Sequence, residues 1–140
     1  MKIVLDTNVL SELMKPQGSK IVKDWVAAQP RENLFTTSIT QAEILYGIAI
    51  MPDGKRSKAL KEFAQAMFIE DFAEQILFFD STAAISFSEI AANRQKIGRP
   101  IAQADTQIAA ICLANNAAIA TRNVNDFRDC QIQLINPWNP

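Results

Sequence analysis

Asp105 is the acidic residue whose sequence surroundings fit a simple surface role least well. Helical spacing places it on one face with four apolar residues, Ile101, Ile108, Ala109 and Cys112. No lysine or arginine lies one turn away, and buried carboxylates are almost always paired with a cation or bound to a metal ion. Asp105 therefore needs a compensating partner, unless it is simply a helix-start residue stabilised by the first-turn amides.

Two further acids, Asp6 and Glu43, have structural and chemical interpretations of similar weight. Asp6 directly follows the apolar run Ile3–Leu5, where an aspartate can also cap a short helix. Glu43 ends the segment Thr40–Glu43, which matches a capping box in which the glutamate bonds back to the N-cap amide. Neither residue indicates a functional site by itself.

The interpretation changes if Asp6, Glu43 and Asp105 converge in space. Two carboxylates about 4 Å apart repel by about 4 kcal/mol at an effective dielectric of about 20, so an unfilled group of three is unstable or protonated. A divalent cation removes this conflict. Because the candidate ligands are all oxygen atoms, Mg²⁺ or Mn²⁺ is favoured over Zn²⁺.

The composition excludes several kinds of enzyme. The chain has no histidine, which excludes Ser-His-Asp and Cys-His catalysis and removes the commonest zinc ligand. Its two cysteines, Cys112 and Cys130, have no CxxC spacing, so we expect each to be a small buried hydrophobic residue. They do not indicate an oxidising compartment.

Length and charge predict one ordinary globular domain spanning residues 1–140. The chain is 49% hydrophobic and 21% charged, and its formal net charge of −1 means that nucleic-acid binding would depend on local patches. The longest apolar run, Ile108–Ala114, is far shorter than the roughly 18 residues of a membrane span, and Asp6 comes too early for a signal peptide. A cytoplasmic protein without membrane contact is therefore expected.

Short apolar runs alternate with longer segments of helical period. This alternation predicts an α/β fold with a mainly parallel sheet covered on both faces. The predicted strands are Lys2–Leu5, Leu34–Thr36, Ile76–Phe79, Ala118–Ala120 and Ile132–Ile135. The predicted helices are a short one around residues 9–13 and longer ones over 19–29, 39–51, 57–68, 82–97 and 102–115.

Polar residues follow four of the predicted strands. They are Asp6, Thr37-Ser38, Asp80 and Thr121-Arg122-Asn123. Ligands of parallel α/β sheets bind outside the carboxyl ends of the strands, so these residues are candidates for one site. Asp80 precedes Ser81-Thr82 and is better explained as the N-cap of the next helix.

Five sequence motifs follow one another along the chain: Ile3–Val9, Ser38–Glu43 with Tyr46-Gly47, Gly98–Asp105 with Ile108–Ala110, Ala120–Asn123 with Asp126-Phe127, and Asn136–Trp138. In this order they resemble the motifs of the PIN domains, and among them the VapC/FitB-like toxins of bacterial toxin–antitoxin pairs. The resemblance covers nearly the whole chain. It implies a three-layer α/β/α domain with a five-stranded sheet of order 3-2-1-4-5.

The resemblance also implies roles for the acidic residues. Asp6, Glu43 and Asp105 match the three core acids of the family, with Asp6 and Asp105 as the expected direct metal ligands. Many PIN domains have aspartate where this chain has Asn123. Asp126, one turn further along, could compensate for the missing charge.

The implied activity is metal-assisted hydrolysis of RNA phosphodiester bonds, with structured RNA such as tRNA as the expected substrate. Thr7, Asn8, Ser38 and Thr121 are candidates for orienting the carboxylates or water. The basic residues that could hold RNA phosphates are Arg94, Lys96, Arg99 and Arg122. The charge run at Lys55, Arg56, Lys58 and Lys61 is better explained as a solvated helix face.

The same resemblance implies a homodimer and a cognate antitoxin that covers the acidic site. Apolar residues of the first two helices, Leu10, Leu13, Met14 and Trp25, could line the antitoxin groove or pack in the core. One alternative is a non-catalytic acidic pocket that binds a cation or a basic peptide, an idea that Asn123 supports. A phosphoryl-accepting receiver or phosphatase domain fits less well, because no DxD pair follows the first strand.

Overall fold

The computed structural model describes residues 1–140 as one α/β domain built on a five-stranded parallel sheet of order β3-β2-β1-β4-β5. The strands are β1 (Lys2–Leu5), β2 (Leu34–Thr37), β3 (Ile76–Leu77), β4 (Ala117–Ala120) and β5 (Leu134–Ile135). The helices are α1 (Thr7–Met14), α2 (Lys20–Ala27), α3 (Ser38–Ala49), α4 (Lys55–Ala66), α5 (Ser81–Lys96) and α6 (Gln103–Ala114). This confirms the predicted fold class and strand order.

The sheet centre follows from the continuous apolar sequences of β1 and β4. Ile3 of β1 pairs with Leu34 of β2 on one side and with Ala118 of β4 on the other. All four residues of β4 are buried, as expected for an inner parallel strand covered by helices on both faces. Asp6 leaves the end of β1, so it lies at the strand-order switch where parallel sheets bind ligands.

Alternate β1 side chains separate the two hydrophobic cores. Leu5 packs with Leu10 of α1 and Val22 of α2 on one face, whereas Val4 packs with Ile108 of α6 on the other. Helices α1 to α4 cover the first face, and α5 and α6 cover the second. Burying a side chain such as Leu10 stabilises the fold by about 1.5–3 kcal/mol.

The edge strands are shorter than the sequence predicts. Thr37, the last residue of β2, pairs with Leu77, and α3 begins directly afterwards, so Phe78 has no partner strand and is exposed. β5 likewise pairs only through Leu134 and Ile135. The positive φ of 61° at Gln131 bends the chain just before this strand.

The helices begin and end within two residues of most predicted boundaries, and α4 continues into a π-helical turn, Met67–Asp71. Asp80 caps α5 as predicted, with its carboxylate accepting from the Ala83 amide at 2.9 Å. Both cysteines are buried free thiols, as expected. None of the helices combines the length and apolar composition that a membrane span requires.

Candidate active site

Three separate elements bring the candidate acids to one cavity at the carboxyl end of the sheet. Asp6 ends β1 and caps α1, Glu43 lies in the second turn of α3, and Asp105 lies in the first turn of α6. All three line a cavity of about 410 Å³, called here the acidic cavity. Its other lining residues are Thr7, Asn8, Ser11, Glu12, Lys15, Arg122, Asn123, Phe127 and Trp138.

Asp6 is a buried carboxylate that is well supplied with hydrogen bonds. Only 5% of the residue is exposed, and its oxygens accept from the Thr7 amide at 2.8 Å, the Thr121 hydroxyl at 2.8 Å and the Asn8 side-chain amide at 3.2 Å. Burial raises the pKa of Asp6 more than these hydrogen bonds lower it, and the nearby Glu43 charge raises it further. The site therefore holds Asp6 in place but makes its negative charge costly.

Asp105 is only partly buried, and its carboxylate accepts no hydrogen bond within the chain. Asp105 does lie in the first turn of α6, where the positive end of the helix favours a carboxylate, but no amide of that turn donates a hydrogen bond to it. Burial raises the pKa of Asp105 from 3.8 to about 6, and the charges of Asp6, Asp126 and Glu43 contribute in the same direction, against a lowering by Arg94. Such a carboxylate is poised to gain from a cation.

Glu43 does not act in a capping box. Thr37, not Thr40, caps α3, with its hydroxyl accepting from the Thr40 amide at 3.0 Å. Glu43 instead accepts a 2.7 Å hydrogen bond from the Thr7 hydroxyl, which also lies 3.0 Å from the hydroxyl of Thr40. The N-cap of α3 falls three residues earlier than the motif suggested, so Glu43 is free to face the acidic cavity.

The Thr121 hydroxyl joins the neutral residues of the site to Asp6. It donates to Asp6, and it accepts from the Asn8 side-chain nitrogen at 3.2 Å and from the backbone N–H of Asn123 at 3.1 Å. A hydroxyl has one donor and two acceptor positions, so all of its capacity is used. Asn123 lines the acidic cavity, whereas Asp126 is exposed and outside the lining.

Ser38 and Arg94 are among the predicted site residues that lie outside the acidic cavity. Ser38 makes no hydrogen bond to the acids and is not part of the cavity lining. The prediction that Arg94 binds RNA is wrong, because only 4% of this residue is exposed. Its Nε donates to the carbonyl oxygen of Arg99 at 2.6 Å, and its Nη1 donates to those of Asp126 at 2.9 Å and Arg128 at 3.0 Å, so the guanidinium is engaged by the fold rather than presented on the surface.

The remaining basic candidates differ in position. Lys96 is exposed at the end of α5, and Arg99 pairs with Asp129 at 2.9 Å, but neither lines the acidic cavity. Arg122 does line it. Among the four candidates, only Arg122 is placed beside the acids.

Sequence reasoning missed Glu12, Lys15 and Trp138, which also line the acidic cavity. Glu12 accepts from the Ser19 amide at 2.9 Å and pairs with Lys15 at 3.3 Å. The sequence held weak signs of two of these residues. Glu12 is an acid within the mostly apolar sequence of α1, and Trp138 belongs to the C-terminal motif Asn136–Trp138.

The donor set of the acidic cavity suits a hard divalent cation. Every candidate ligand is an oxygen atom, and the pKa values of Asp6 and Asp105 are raised first by burial and then by the charges of neighbouring carboxylates. No three Asp, Glu or Cys side chains are already gathered as a complete ligand set. Mg²⁺ usually binds through one or two carboxylates and keeps several waters, so Asp6 and Asp105 fit this ion.

Relatives of about the same length align with nearly the whole of this chain. It is 40% identical over 136 residues to the plasmid stability protein StbB of Pseudomonas syringae pv. tomato, covering 97% of this chain and 98% of that protein. It is 38% identical over 138 residues to the VapC ribonuclease Y4jK of Sinorhizobium fredii, covering 99% of both. It is 34% identical to toxin FitB of Neisseria gonorrhoeae, covering 98% of this chain and 99% of FitB.

The fold agrees with these sequence similarities. The crystal structure of FitAcB from Neisseria gonorrhoeae superposes with a TM-score of 0.93 at 33% identity, covering 99% of both chains. The PIN domain family model matches residues 3–131, a range that includes every acid of the cavity. The chain belongs to the PIN domain family.

Proposed function

We propose that this protein is a Mg²⁺- or Mn²⁺-dependent endoribonuclease, the toxin of a toxin–antitoxin pair, that hydrolyses phosphodiester bonds of structured RNA such as tRNA. The observation that carries the proposal is Asp105, a partly buried carboxylate without a hydrogen bond, in one cavity with Asp6 and Glu43. The names of the relatives, VapC ribonuclease and toxin FitB, support the same activity.

The residues of the chain divide the work of this reaction. Asp6 and Asp105 would hold the cation, with Glu43 oriented toward the cavity by the Thr7 hydroxyl. When bound, the cation would polarise a phosphoryl oxygen and lower the pKa of an attacking water. Thr121 and Asn8 donate hydrogen bonds to the Asp6 carboxylate and hold it oriented for a ligand.

The absence of histidine favours hydrolysis by water over attack by the ribose 2′-hydroxyl, because that route normally uses an imidazole base. We therefore expect products with 5′-phosphate and 3′-hydroxyl ends. Cyclic 2′,3′-phosphate ends would contradict this chemistry.

An apolar groove offers a place for the antitoxin. It has a volume of about 450 Å³ between α1, α3 and α4, and Met14, Ile44, Ile48 and Phe63 are among its lining residues. The antitoxin would lay an apolar segment here and insert an arginine or lysine among the acids. The suggestion that Leu10 lines such a groove is wrong, because Leu10 is completely buried in the core.

The other two residues suggested for the groove are divided between this region and the core. Leu13 lines a neighbouring cavity, and Trp25 packs partly buried against the core. A homodimer is proposed as well, since α3 exposes Leu45 and Tyr46. The cytoplasm is the compartment proposed for both partners.

The test is cleavage of total cellular RNA by the purified, antitoxin-free protein. We expect discrete fragments with Mg²⁺ or Mn²⁺, none with EDTA, and at least about a 100-fold loss of rate in Asp105→Asn. Circular dichroism of the variant controls for folding. Full activity of Asp105→Asn would reject the site assignment.

A non-catalytic acidic pocket is the second candidate. It is favoured by Asn123, which adds no charge where many PIN domains have an aspartate, and by the absence of a complete three-carboxylate ligand set. Folded protein that cuts no RNA in any lane, yet binds Mn²⁺ or a basic peptide, would support this candidate over the nuclease.

A further inference from the structure

We propose that Arg122, held against Trp138 beside the acidic cavity, binds an RNA phosphate next to the bond that is cut. This inference rests on the proposed ribonuclease function and adds the residue that holds the substrate. Arg122 lines the acidic cavity together with four carboxylates, those of Asp6, Glu12, Glu43 and Asp105, but forms an ion pair with none of them.

The guanidinium of Arg122 lies over an aromatic ring. The hydrogen bond from the Ser19 amide lowers the pKa of nearby Glu12, and the charge of Arg122 contributes to this lowering without forming an ion pair with Glu12. Its Cζ atom lies 5.2 Å from the centre of the Trp138 ring, within the range of a cation–π interaction. Arg122 is exposed, and its guanidinium makes no hydrogen bond and no ion pair in the chain. A guanidinium carries five N–H donors in a planar fork, and all of them are available to a ligand.

The backbone that carries Arg122 is tied to the acids. Its amide donates to the Asn8 side-chain oxygen at 3.1 Å, and the Asn8 side-chain nitrogen donates to Asp6 at 3.2 Å. One asparagine therefore sets the distance between the candidate metal ligand and the arginine. A change that moved Arg122 would also move the support of Asp6.

Trp138 is fixed from the other side of the site. It follows β5, and its amide donates to the Asn136 side-chain oxygen at 2.9 Å. The ring also packs against the hydrophobic core. Because the ring is anchored, stacking restricts the guanidinium before a ligand arrives, which lowers the entropy lost on binding.

Phosphate is the ligand that this arrangement fits best. The planar fork of an arginine matches a phosphate in two-point hydrogen bonding, whereas a lysine acts as a point charge. The proposed substrate is a chain of phosphates, so a second phosphate must lie near the one at the acids. Arg122 would bind this second phosphate and so fix which phosphodiester bond of the RNA lies at the acids.

Binding can be measured separately from cleavage in the Asp105→Asn background. The probe is a short, fluorescein-labelled, single-stranded RNA of randomised sequence, followed by fluorescence anisotropy over a salt series. We expect Arg122→Gln to weaken Kd roughly 10-fold and to reduce the slope of log Kd against log salt by about one. Arg122→Lys should be intermediate because it keeps the charge without the fork.

Matched variants separate this site from general charge and folding effects. Arg31→Gln removes the same charge just before β2, at the opposite end of the sheet, and should leave Kd unchanged. Trp138→Leu should weaken binding in the same direction as Arg122→Gln, and Trp138→Phe should restore most of it. Equal Kd and equal salt slope for Arg122→Gln and its parent would overturn the proposal.

Kinetics in the otherwise unaltered protein make the two proposals distinguishable. If Arg122 holds substrate, Arg122→Gln should raise KM roughly 10-fold and change kcat less than about 3-fold. Cleavage with unchanged KM in Arg122→Gln would overturn this inference and leave the ribonuclease proposal standing. No cleavage by the wild type, with RNA binding that still depends on Arg122, would support the phosphate site and overturn the ribonuclease proposal.

Discussion

Arg94 and Asp105 are two charged residues on neighbouring helices, and the chain treats them in opposite ways. Arg94 on α5 is almost completely buried, yet its guanidinium donates to three backbone carbonyl oxygens and contacts the Cys130 sulfur at 3.5 Å. Asp105 on α6 is more exposed but accepts no hydrogen bond, and its pKa is raised to about 6. The two helices pack against each other, so location alone does not explain the difference.

The difference separates a structural charge from a functional one. A buried charge that serves the fold is held by hydrogen bonds with the protein, as Arg94 is by three backbone carbonyl oxygens. A carboxylate left without donors beside other carboxylates lowers stability, and a ligand can recover that loss. Asp6 lies between these extremes, because it is buried and hydrogen-bonded yet still has a raised pKa.

The largest effect is expected when the structural charge is removed. Arg94→Leu leaves three carbonyl oxygens without their donors and should lower the free energy of unfolding by about 3 kcal/mol or more. Lys96→Leu, at an exposed position of the same helix, is the control and should change it by less than about 0.5 kcal/mol. Urea unfolding measures both. Equal stability of the two variants would show that Arg94 is not a structural charge.

Thr121→Val tests the intermediate case of Asp6. The substitution keeps the side-chain shape but removes the donor to Asp6 and the acceptor for Asn8 and Asn123. We expect a loss of about 1–3 kcal/mol in the free energy of unfolding at neutral pH. We also expect a lower rate of RNA cleavage, because the Asp6 carboxylate loses its fixed position. Thr121→Ser, which retains the hydroxyl, should recover most of both losses.

The pH dependence of stability should carry the signature of Asp105. Its folded pKa of about 6 lies above its ordinary value of 3.8, so the folded state binds more protons over this interval. The stability that it contributes is therefore present at low pH and is lost as the pH rises through about 6. Asp105→Asn should flatten this part of the profile relative to wild type and should be at least as stable at neutral pH. Chemical denaturation at a series of pH values measures the slope, and parallel profiles would contradict the assignment.

Divalent cations should reverse this pH effect in the wild type alone. On the proposed function, Mg²⁺ or Mn²⁺ would bind the ionised acids, so it should raise the thermal midpoint near neutral pH and have less effect as the acids become protonated. Ca²⁺, which prefers more ligands at longer distances, serves as the comparison ion. A rise in midpoint of the same size in Asp105→Asn would show that the ions act elsewhere.

The sequence was most informative where a residue type conflicts with its local pattern. Asp105 on an apolar helical face was found in this way, whereas Asp6, which fits a helix cap equally well, became a candidate through its place at a strand end; both line the acidic cavity. Asp80 fits its local pattern as a helix cap, and the structure confirms that role. The strand order depended on the family resemblance rather than on periodicity.

Arg94 shows why some assignments failed. It lies four residues after Ile90 on α5 and therefore shares the buried face, but a count of basic residues before Asp105 favoured an RNA contact instead. The carbonyl oxygens that satisfy it come from residues up to 34 positions away, so its hydrogen bonds could not be read locally. The Thr7 to Glu43 bond, which joins α1 to α3, was hidden for the same reason.

The most direct test of Asp105 as a metal ligand is Mn²⁺ binding measured by electron paramagnetic resonance, in which binding of Mn²⁺ reduces the signal of the free ion. Titrations compare the wild type, Asp105→Asn and the exposed control Asp53→Asn without RNA. We expect saturable binding to the wild type and to Asp53→Asn, weakened at least about 10-fold in Asp105→Asn. Equal binding by all three proteins, or no binding by any, would contradict the proposal that the unsatisfied carboxylate of Asp105 is part of a metal site.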